Sequence, residues 1–182
     1  MTREIIVVPY NNEWPKMYQE EINRVFPVLR NEIVAMHHIG STSIPEMWAK
    51  PIIDILLEVR AISKIDEYNE AMIDLGYEPR GELGIPGRRY FSRKKPADVR
   101  THHIHVYQSG DINIERHLAF RDYLIAHQKD AQKYVDLKRE LARRYPMDTG
   151  SYCEGKEAFV GEMESKAISW YRRRTSSKSL VS

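Results

Sequence analysis

The chain has 182 residues, of which 42% are hydrophobic and 30% charged, and its formal net charge is +2 at pH 7. This composition is that of an ordinary globular protein, and the small net charge gives no argument for nucleic-acid binding. No apolar run approaches the roughly 20 residues of a membrane helix, and residues 1–8 lack the long apolar segment of a secretory signal. The single cysteine, Cys153, excludes an intrachain disulfide, so we expect a cytoplasmic protein without a membrane partner.

The first part of the chain predicts strands on either side of a helix. Ile5–Val8 is a short apolar run ended by Pro9, which indicates an edge strand. A helix is expected up to about Leu29, because Pro15 suits a first helical turn. Two longer strands follow, one over 33–36 that continues toward a turn and one over 51–57.

Helical and extended patterns then alternate along the rest of the chain. The further predicted elements are a helix over 63–75 closed by Gly76, an extended piece over 77–79, a glycine-rich loop over 81–87, strands over 88–93 and 101–107, and helices over 115–127, 131–145 and about 156–173. The pattern predicts an α+β protein with a mixed sheet and flanking helices in residues 1–108. A C-terminal helical cap follows over 109–173, and the polar segment 174–182 is expected to be disordered.

A hydroxyl-rich turn and a carboxylate stand out in the first part of the chain. Gly40-Ser41-Thr42-Ser43 offers a backbone that a ligand can approach closely, together with three hydroxyls. Asp54 follows Ser41 by thirteen residues and lies inside an apolar run, where a charge is costly to bury without a partner. This combination indicates a site for a phosphate and its metal ion. A simple helix-capping turn and a structural carboxylate remain the alternatives.

This sequence pattern resembles that of the GrpB family of the nucleotidyltransferase superfamily. The resemblance rests on His38-Ile-Gly-Ser-Thr-Ser43 and Lys50-Pro-Ile-Ile-Asp-Ile55, with later matches at 103–106, 118–124, 134–138 and 152–159. It covers about residues 5–170 and implies a nucleotidyltransferase-like fold with Asp54 as a catalytic residue. Lys50, directly before the second strand, is the other catalytic candidate, because it could place a cation at a bound phosphate; a solvated lysine at the start of the strand is the alternative. Active members of the superfamily carry a second acid two positions after the first, and here that position holds Leu56. A two-metal mechanism is therefore in doubt.

Histidines form a second candidate group. His103 and His105 share one face of a predicted strand, because side chains alternate along a strand. A His-x-His pair with a carboxylate is a known style of metal ligation, and Asp54 on a neighbouring strand is the candidate third ligand. Mg or Mn is the expected cofactor, with Zn as the alternative. Direct hydrogen bonds to a ligand and plain structural roles stay open for both histidines.

Basic residues form the third candidate group. Arg88, Arg89 and Arg93 lie in a segment rich in cations, which favours a small anion over a solvated strand edge, with nucleic acid the least favoured partner. Arg121 stands on an apolar helix, where it could reach a phosphate or form an ion pair with another element. Two pairs with helical spacing, Tyr134 with Lys138 and Tyr152 with Lys156, are candidate ligand contacts or packing pairs.

These patterns predict a protein that binds a nucleotide or another phosphorylated small molecule, with metal-assisted nucleotidyl transfer as the activity to be tested. A sensor that binds the ligand without turnover is the alternative, because Leu56 replaces an acid. A hydrolase with a His/Asp metal centre is the third hypothesis. The sequence leaves the substrate, the acceptor and the oligomeric state undetermined.

Overall fold

The computed structural model describes residues 4–96 and 99–178. The elements within these residues, in chain order, are α1 (Trp14–Leu29), β1 (Ile33–Ile39), a 3₁₀ turn (Ser41–Ser43), β2 (Ile53–Val59), a 3₁₀ segment (Ile62–Tyr68), α2 (Asn69–Asp74), β3 (Tyr77–Pro79), β4 (Arg89–Lys95), β5 (Val99–Gln108), α3 (Ile112–Ala126), α4 (Gln128–Arg144) and α5 (Thr149–Lys178). The fold is α+β, and the predicted mixed sheet with flanking helices is confirmed.

The five strands form one sheet in the order β1-β2-β5-β4-β3. Strands β2 and β5 pair in parallel, and the other neighbours pair antiparallel. Strand β2, which has a neighbour on each side, carries a nearly continuous apolar run, in which Ile53, Ile55, Leu56 and Leu57 are completely buried. Such a run is typical of a strand covered on both faces. Asp54 is the acid that interrupts this run.

Two predicted elements differ in detail from the structure. Ile5–Val8 forms no regular strand, and its pairing is a single bridge between Val8 and Ala49. The predicted helix over 63–75 begins as the 3₁₀ segment and becomes α-helical only at Asn69. Its end at Gly76 is as predicted, since Gly76 has a φ of 87° and Asp74 is the last helical residue.

The chain divides into two compact units that interleave in sequence. Among the described residues, the sheet unit comprises 11–43, 52–96 and 99–114, and the helical unit comprises 4–10, 44–51 and 115–178. In the helical unit, Ile44 and Met47 belong to the same apolar cluster as Ala119, Tyr134 and Met163. This burial explains why segment 44–51 belongs to the helical unit. The prediction instead placed all of residues 1–108 in one continuous unit.

Helix α5 extends to Lys178 and so includes the first part of the segment expected to be disordered. The remainder, 179–182, lies outside the described residues. None of the helices in the described part of the chain is long and apolar enough to cross a membrane.

Candidate functional site

The predicted turn and the predicted carboxylate meet in the sheet unit. Strand β1 ends at Ile39, which pairs with Asp54 on β2. Gly40 then turns the chain with a φ of 71°, a conformation that glycine adopts without strain. A Cβ placed on Gly40 would lie 2.7 Å from Oδ2 of Asp54. The position therefore requires glycine both for its backbone angle and for its contact with the carboxylate.

The hydroxyls of the turn divide into two roles. The Ser43 hydroxyl donates to the Gly40 carbonyl at 2.6 Å, and the Thr42 hydroxyl donates to the Ile52 carbonyl at 3.2 Å. Thr42 is buried, and its oxygen also lies 3.0 Å from Nε2 of His38. Thr42 and Ser43 thus shape the turn. Gly40 and the half-buried Ser41 are the first two residues of the turn, and Gly40 lies against Asp54.

Two histidines hold the Asp54 carboxylate. His103 on β5 pairs directly with Asp54 in the parallel register, and its Nδ1 lies 3.2 Å from Oδ1 of Asp54. His105, two residues further on the same face, places Nε2 3.4 Å from the same oxygen. The Asp54 side chain is 26% exposed. Asp54, His103 and His105 thus lie together, as predicted from the strand pattern.

Arg88 determines which ring nitrogen of His105 carries the hydrogen. Its Nη1 lies 3.5 Å from Nδ1 of His105, and a guanidinium can only donate, so Nδ1 is the acceptor. The Nε2 atom of His105 therefore carries the hydrogen and donates to Asp54. His103 likewise donates from Nδ1, and its Nε2 is buried without a hydrogen-bond partner. The ring of Tyr90 packs against both histidines, with centroids 5.4 Å and 5.2 Å away.

The electrostatics of the site keep Asp54 ionised. Burial acts to raise the pKa of the Asp54 carboxyl, but the hydrogen bonds and the electrostatic attraction of His103 and His105 together outweigh burial. The net result is a pKa held well below the ordinary value of 3.8. The site therefore presents a carboxylate, not a carboxylic acid, at neutral pH.

The predicted metal ligands Asp54, His103 and His105 form a hydrogen-bonded group in this structure. Both histidine nitrogens are directed at one carboxylate oxygen, and the described residues contain no group of three or more His, Cys, Asp or Glu that could hold a metal. Leu56, which replaces the second acid, is completely buried opposite His105. Binding of Mg, Mn or Zn stays a prediction.

The three predicted arginines separate onto two faces of the sheet. Arg88 is buried beside His105, where it donates to the carbonyls of Glu82 and Leu83 and lies over Tyr90. Arg89 and Arg93 alternate with the site-facing residues of β4 and so belong to the opposite face. The strand register therefore directs Arg89 and Arg93 away from Asp54, and a role for them in anion binding stays a prediction.

Both arginines of the opposite face form ion pairs. Arg89 binds Asp66 with two hydrogen bonds, of 2.7 Å and 2.9 Å. Arg93 lies 2.9 Å from Oε1 of Glu21, a glutamate that is only 3% exposed. Burial raises the pKa of the Glu21 carboxyl, although hydrogen bonds from Tyr77 and Arg24 act against this rise. The Arg93 contact fastens α1 to the sheet, and the Arg89 contact fastens the 3₁₀ segment to it.

The remaining predicted residues belong to the helical unit. Arg121 pairs with its neighbour Asp122 at 2.7 Å, a contact between adjacent residues that helical spacing had not indicated. The five other predicted residues of this unit form contacts between ammonium groups and rings: Lys50 and Lys156 lie over Tyr152, and Lys138 lies over Tyr134.

Sequence reasoning missed Tyr90 as a member of the site. Tyr90 was considered only as a stacking partner for RNA, but it pairs with His105 across β4 and β5. Its position two residues after Arg88, a predicted site residue, was the available signal, since residues i and i+2 of a strand share a face.

The fold of this chain is nucleotidyltransferase-like. A GrpB protein from Enterococcus faecalis is 40% identical, with a TM-score of 0.87 over 91% of this chain and 99% of that chain. The Cid1 poly(U) polymerase, bound to MgATP, is 13% identical, with a TM-score of 0.55 over 82% of this chain and 50% of the polymerase. The second likeness is one of fold alone.

The chain belongs to the GrpB family, whose family model, described as GrpB protein, matches residues 4–166. The protein YqkA of Bacillus subtilis is 45% identical over 98% of this chain and 52% of its own length. A dephospho-CoA kinase of Mycolicibacterium paratuberculosis is 27% identical over 90% of this chain and 46% of the kinase. The chain thus spans about half the length of each of these two relatives.

Proposed function

We propose that this chain binds a nucleotide or another phosphorylated small molecule in the sheet unit, at Gly40, Ser41 and Asp54. The observation that carries the proposal is the Asp54 carboxylate, which lies against Gly40 and is hydrogen-bonded by His103 and His105. A glycine turn lets a ligand approach the backbone closely. The nucleotidyltransferase-like fold supports the same ligand class.

Ligand binding without two-metal catalysis is the role that the geometry favours. Two-metal transfer requires carboxylates that share metal ions on one strand face. Asp54 and Leu56 occupy the two positions here, and Leu56 is buried. Arg88 supplies a positive charge beside His105 and would attract an anionic ligand. The proposed role is therefore that of a nucleotide or metabolite sensor.

Nucleotidyl transfer is the second candidate, favoured by the ionised carboxylate with two histidines. In that reaction an acceptor hydroxyl would attack the α-phosphorus of a nucleoside triphosphate, the bond to the bridging oxygen would break, and pyrophosphate would leave. Asp54 or a histidine would receive the proton of the hydroxyl. A divalent cation held by Asp54, His103 and His105 belongs to this second candidate and remains a proposal.

The similarity to a dephospho-CoA kinase suggests two further ligands to test. That protein is named for a substrate that contains an adenine nucleotide, and this chain resembles about half of it. We therefore include dephospho-CoA and CoA among the candidate ligands, beside ATP and UTP.

Isothermal titration calorimetry of the full chain tests the proposal. Each of the four ligands is titrated into wild type, Asp54→Asn and Asp74→Asn, with and without Mg, Mn or Zn. Asp74 is an exposed carboxylate at the end of α2 and serves as the control. We expect saturable binding of at least one ligand to wild type and Asp74→Asn, and binding at least about tenfold weaker to Asp54→Asn, which corresponds to about 1.4 kcal/mol.

Absence of saturable binding for every ligand and metal combination would overturn the proposal. Turnover separates its two candidates. A sensor releases no pyrophosphate from ATP or UTP, whereas a transferase releases pyrophosphate with a metal and loses this activity in Asp54→Asn.

A further inference from the structure

Three lysines and two tyrosines form a cluster within the helical unit. The ammonium nitrogens of Lys50 and Lys156 lie 4.3 Å and 4.4 Å from the ring centre of Tyr152. Lys138 on α4 lies 4.4 Å from the ring centre of Tyr134 and donates to the Trp48 carbonyl. We call these five residues the lysine cluster: Lys50, Tyr134, Lys138, Tyr152 and Lys156.

Packing in the helical unit brings these side chains together from three segments. Ile44 and Met47 anchor segment 44–51 among the helices, and this places Lys50 and the Trp48 carbonyl near α4 and α5. Gly155 lets α5 approach α4 closely, because a Cβ at this position would lie only 2.5 Å from Cδ2 of Leu141. Leu141 lies one helical turn after Lys138, and Gly155 directly precedes Lys156.

The cluster concentrates positive charge in a partly buried place. Lys138 is only 3% exposed, and Lys50 and Lys156 are half-buried. Burial, followed by the charge of Lys156, lowers the pKa of the Lys138 ammonium to about 7. The tyrosine rings offset part of this cost, since an ammonium is attracted to the face of an aromatic ring. A bound anion would offset far more.

We propose that the lysine cluster is an anion site that takes a phosphate or pyrophosphate group. Each ammonium offers up to three N–H donors, and a multiply charged phosphate offers acceptor oxygens on several sides. The half-buried Lys50 and Lys156 provide the side from which the anion reaches the cluster. This inference goes beyond the function proposed above, because it needs neither Asp54 nor the two histidines.

Inorganic pyrophosphate is the probe, titrated by calorimetry into the full chain without metal ions. We expect saturable binding that becomes at least about tenfold weaker in Lys156→Gln and in Lys50→Gln, in keeping with the strength of charge-assisted hydrogen bonds. Lys156→Arg retains part of the affinity, since it retains the charge. Lys129→Gln removes an exposed lysine from α4 and is the matched control.

The two half-buried positions are chosen so that the test does not depend on Lys138 variants, whose folding is at risk. Circular dichroism and urea unfolding verify that each variant is folded. Loss of binding in Lys156→Gln and Lys50→Gln with retention in Lys129→Gln and Asp54→Asn supports the lysine cluster as the site. Absence of saturable binding, or equal affinity in all the lysine variants, overturns the proposal. A loss in Asp54→Asn alone also overturns it, because the anion then binds in the sheet unit.

Discussion

Gly40 lies so close to Asp54 that a methyl group on Gly40 would come within 2.7 Å of the carboxylate oxygen Oδ2. The turn and the second strand are thus matched to each other, and Gly40 cannot gain a side chain without moving Asp54. This contact makes Gly40 the most direct test of the candidate site.

We expect Gly40→Ala to lose both stability and ligand affinity. The positive φ alone costs about 1–2 kcal/mol for a residue with a Cβ. The matched control is Gly81→Ala, because Gly81 also has a positive φ but a Cβ there would meet nothing within 4 Å. Urea unfolding and ligand titration of both variants measure the difference. Equal losses of stability with unchanged affinity would show that the contact with Asp54 has no role.

Acid should remove a stabilising contribution of Asp54. Because its pKa is lower in the folded chain than in the unfolded chain, the carboxylate stabilises the fold fully above the unfolded pKa, and this contribution is lost as pH falls toward the folded pKa. We expect the difference in unfolding free energy between wild type and Asp54→Asn to shrink below about pH 4, near the ordinary pKa of aspartate. Urea unfolding of both proteins at about pH 3 to pH 6 measures this difference in free energy. A difference independent of pH would contradict the lowered pKa.

The stability of the fold should also depend on pH above neutrality, because of Lys138. Its pKa is about 7 in the folded chain and has an ordinary value of 10.5, so between these values the unfolded chain binds more protons and stability rises with pH. The slope is up to about 1.4 kcal/mol per pH unit. We expect the stability of wild type relative to Lys138→Met to increase from neutral to alkaline pH. Lys129→Met, which removes an exposed lysine from α4, is the control variant, and a flat difference for Lys138→Met would refute the shift.

Gly155 and Gly161 offer a comparison within one helix. Alanine is favoured over glycine in a helix by about 1 kcal/mol, and Gly161 has open space around it, so Gly161→Ala should stabilise the chain. Gly155→Ala should instead destabilise it by about 1–2 kcal/mol, because overpacking against Leu141 outweighs the gain in propensity. Thermal or urea unfolding decides. Stabilisation by both substitutions would mean that Leu141 moves aside freely.

Arg93 and Arg89 test the assignment of these arginines to the fold. Arg93→Gln removes one of the two arginines that bind the buried Glu21 and leaves Arg24 in place, so it should cost about 1.5–3 kcal/mol. Arg89→Gln breaks a pair with the exposed Asp66 and should cost no more than about 1 kcal/mol. Unfolding measurements give both values. Ligand affinity should be unchanged in both folded variants, and a selective loss of affinity would return Arg89 or Arg93 to the ligand site.

The sequence by itself determined the elements and the local chemistry of the site. The apolar run of β2 with its one acid, the glycine of the turn, and the shared face of His103 and His105 follow from strand alternation and backbone freedom. The place of Gly76 at the end of α2 followed from the same local rules. These features are encoded over a few neighbouring residues, and a reader of the sequence can recover them.

Only the tertiary structure decided which of these features meet. The parallel register of β2 and β5 sets Asp54 opposite His103, and the pairing of β4 with β5 sends Arg93 to the far face and brings Tyr90 to the histidines. The apolar contacts of Ile44 and Met47 draw Lys50 to the helices. Register and long-range burial depend on residues distant in sequence, so local patterns do not determine them.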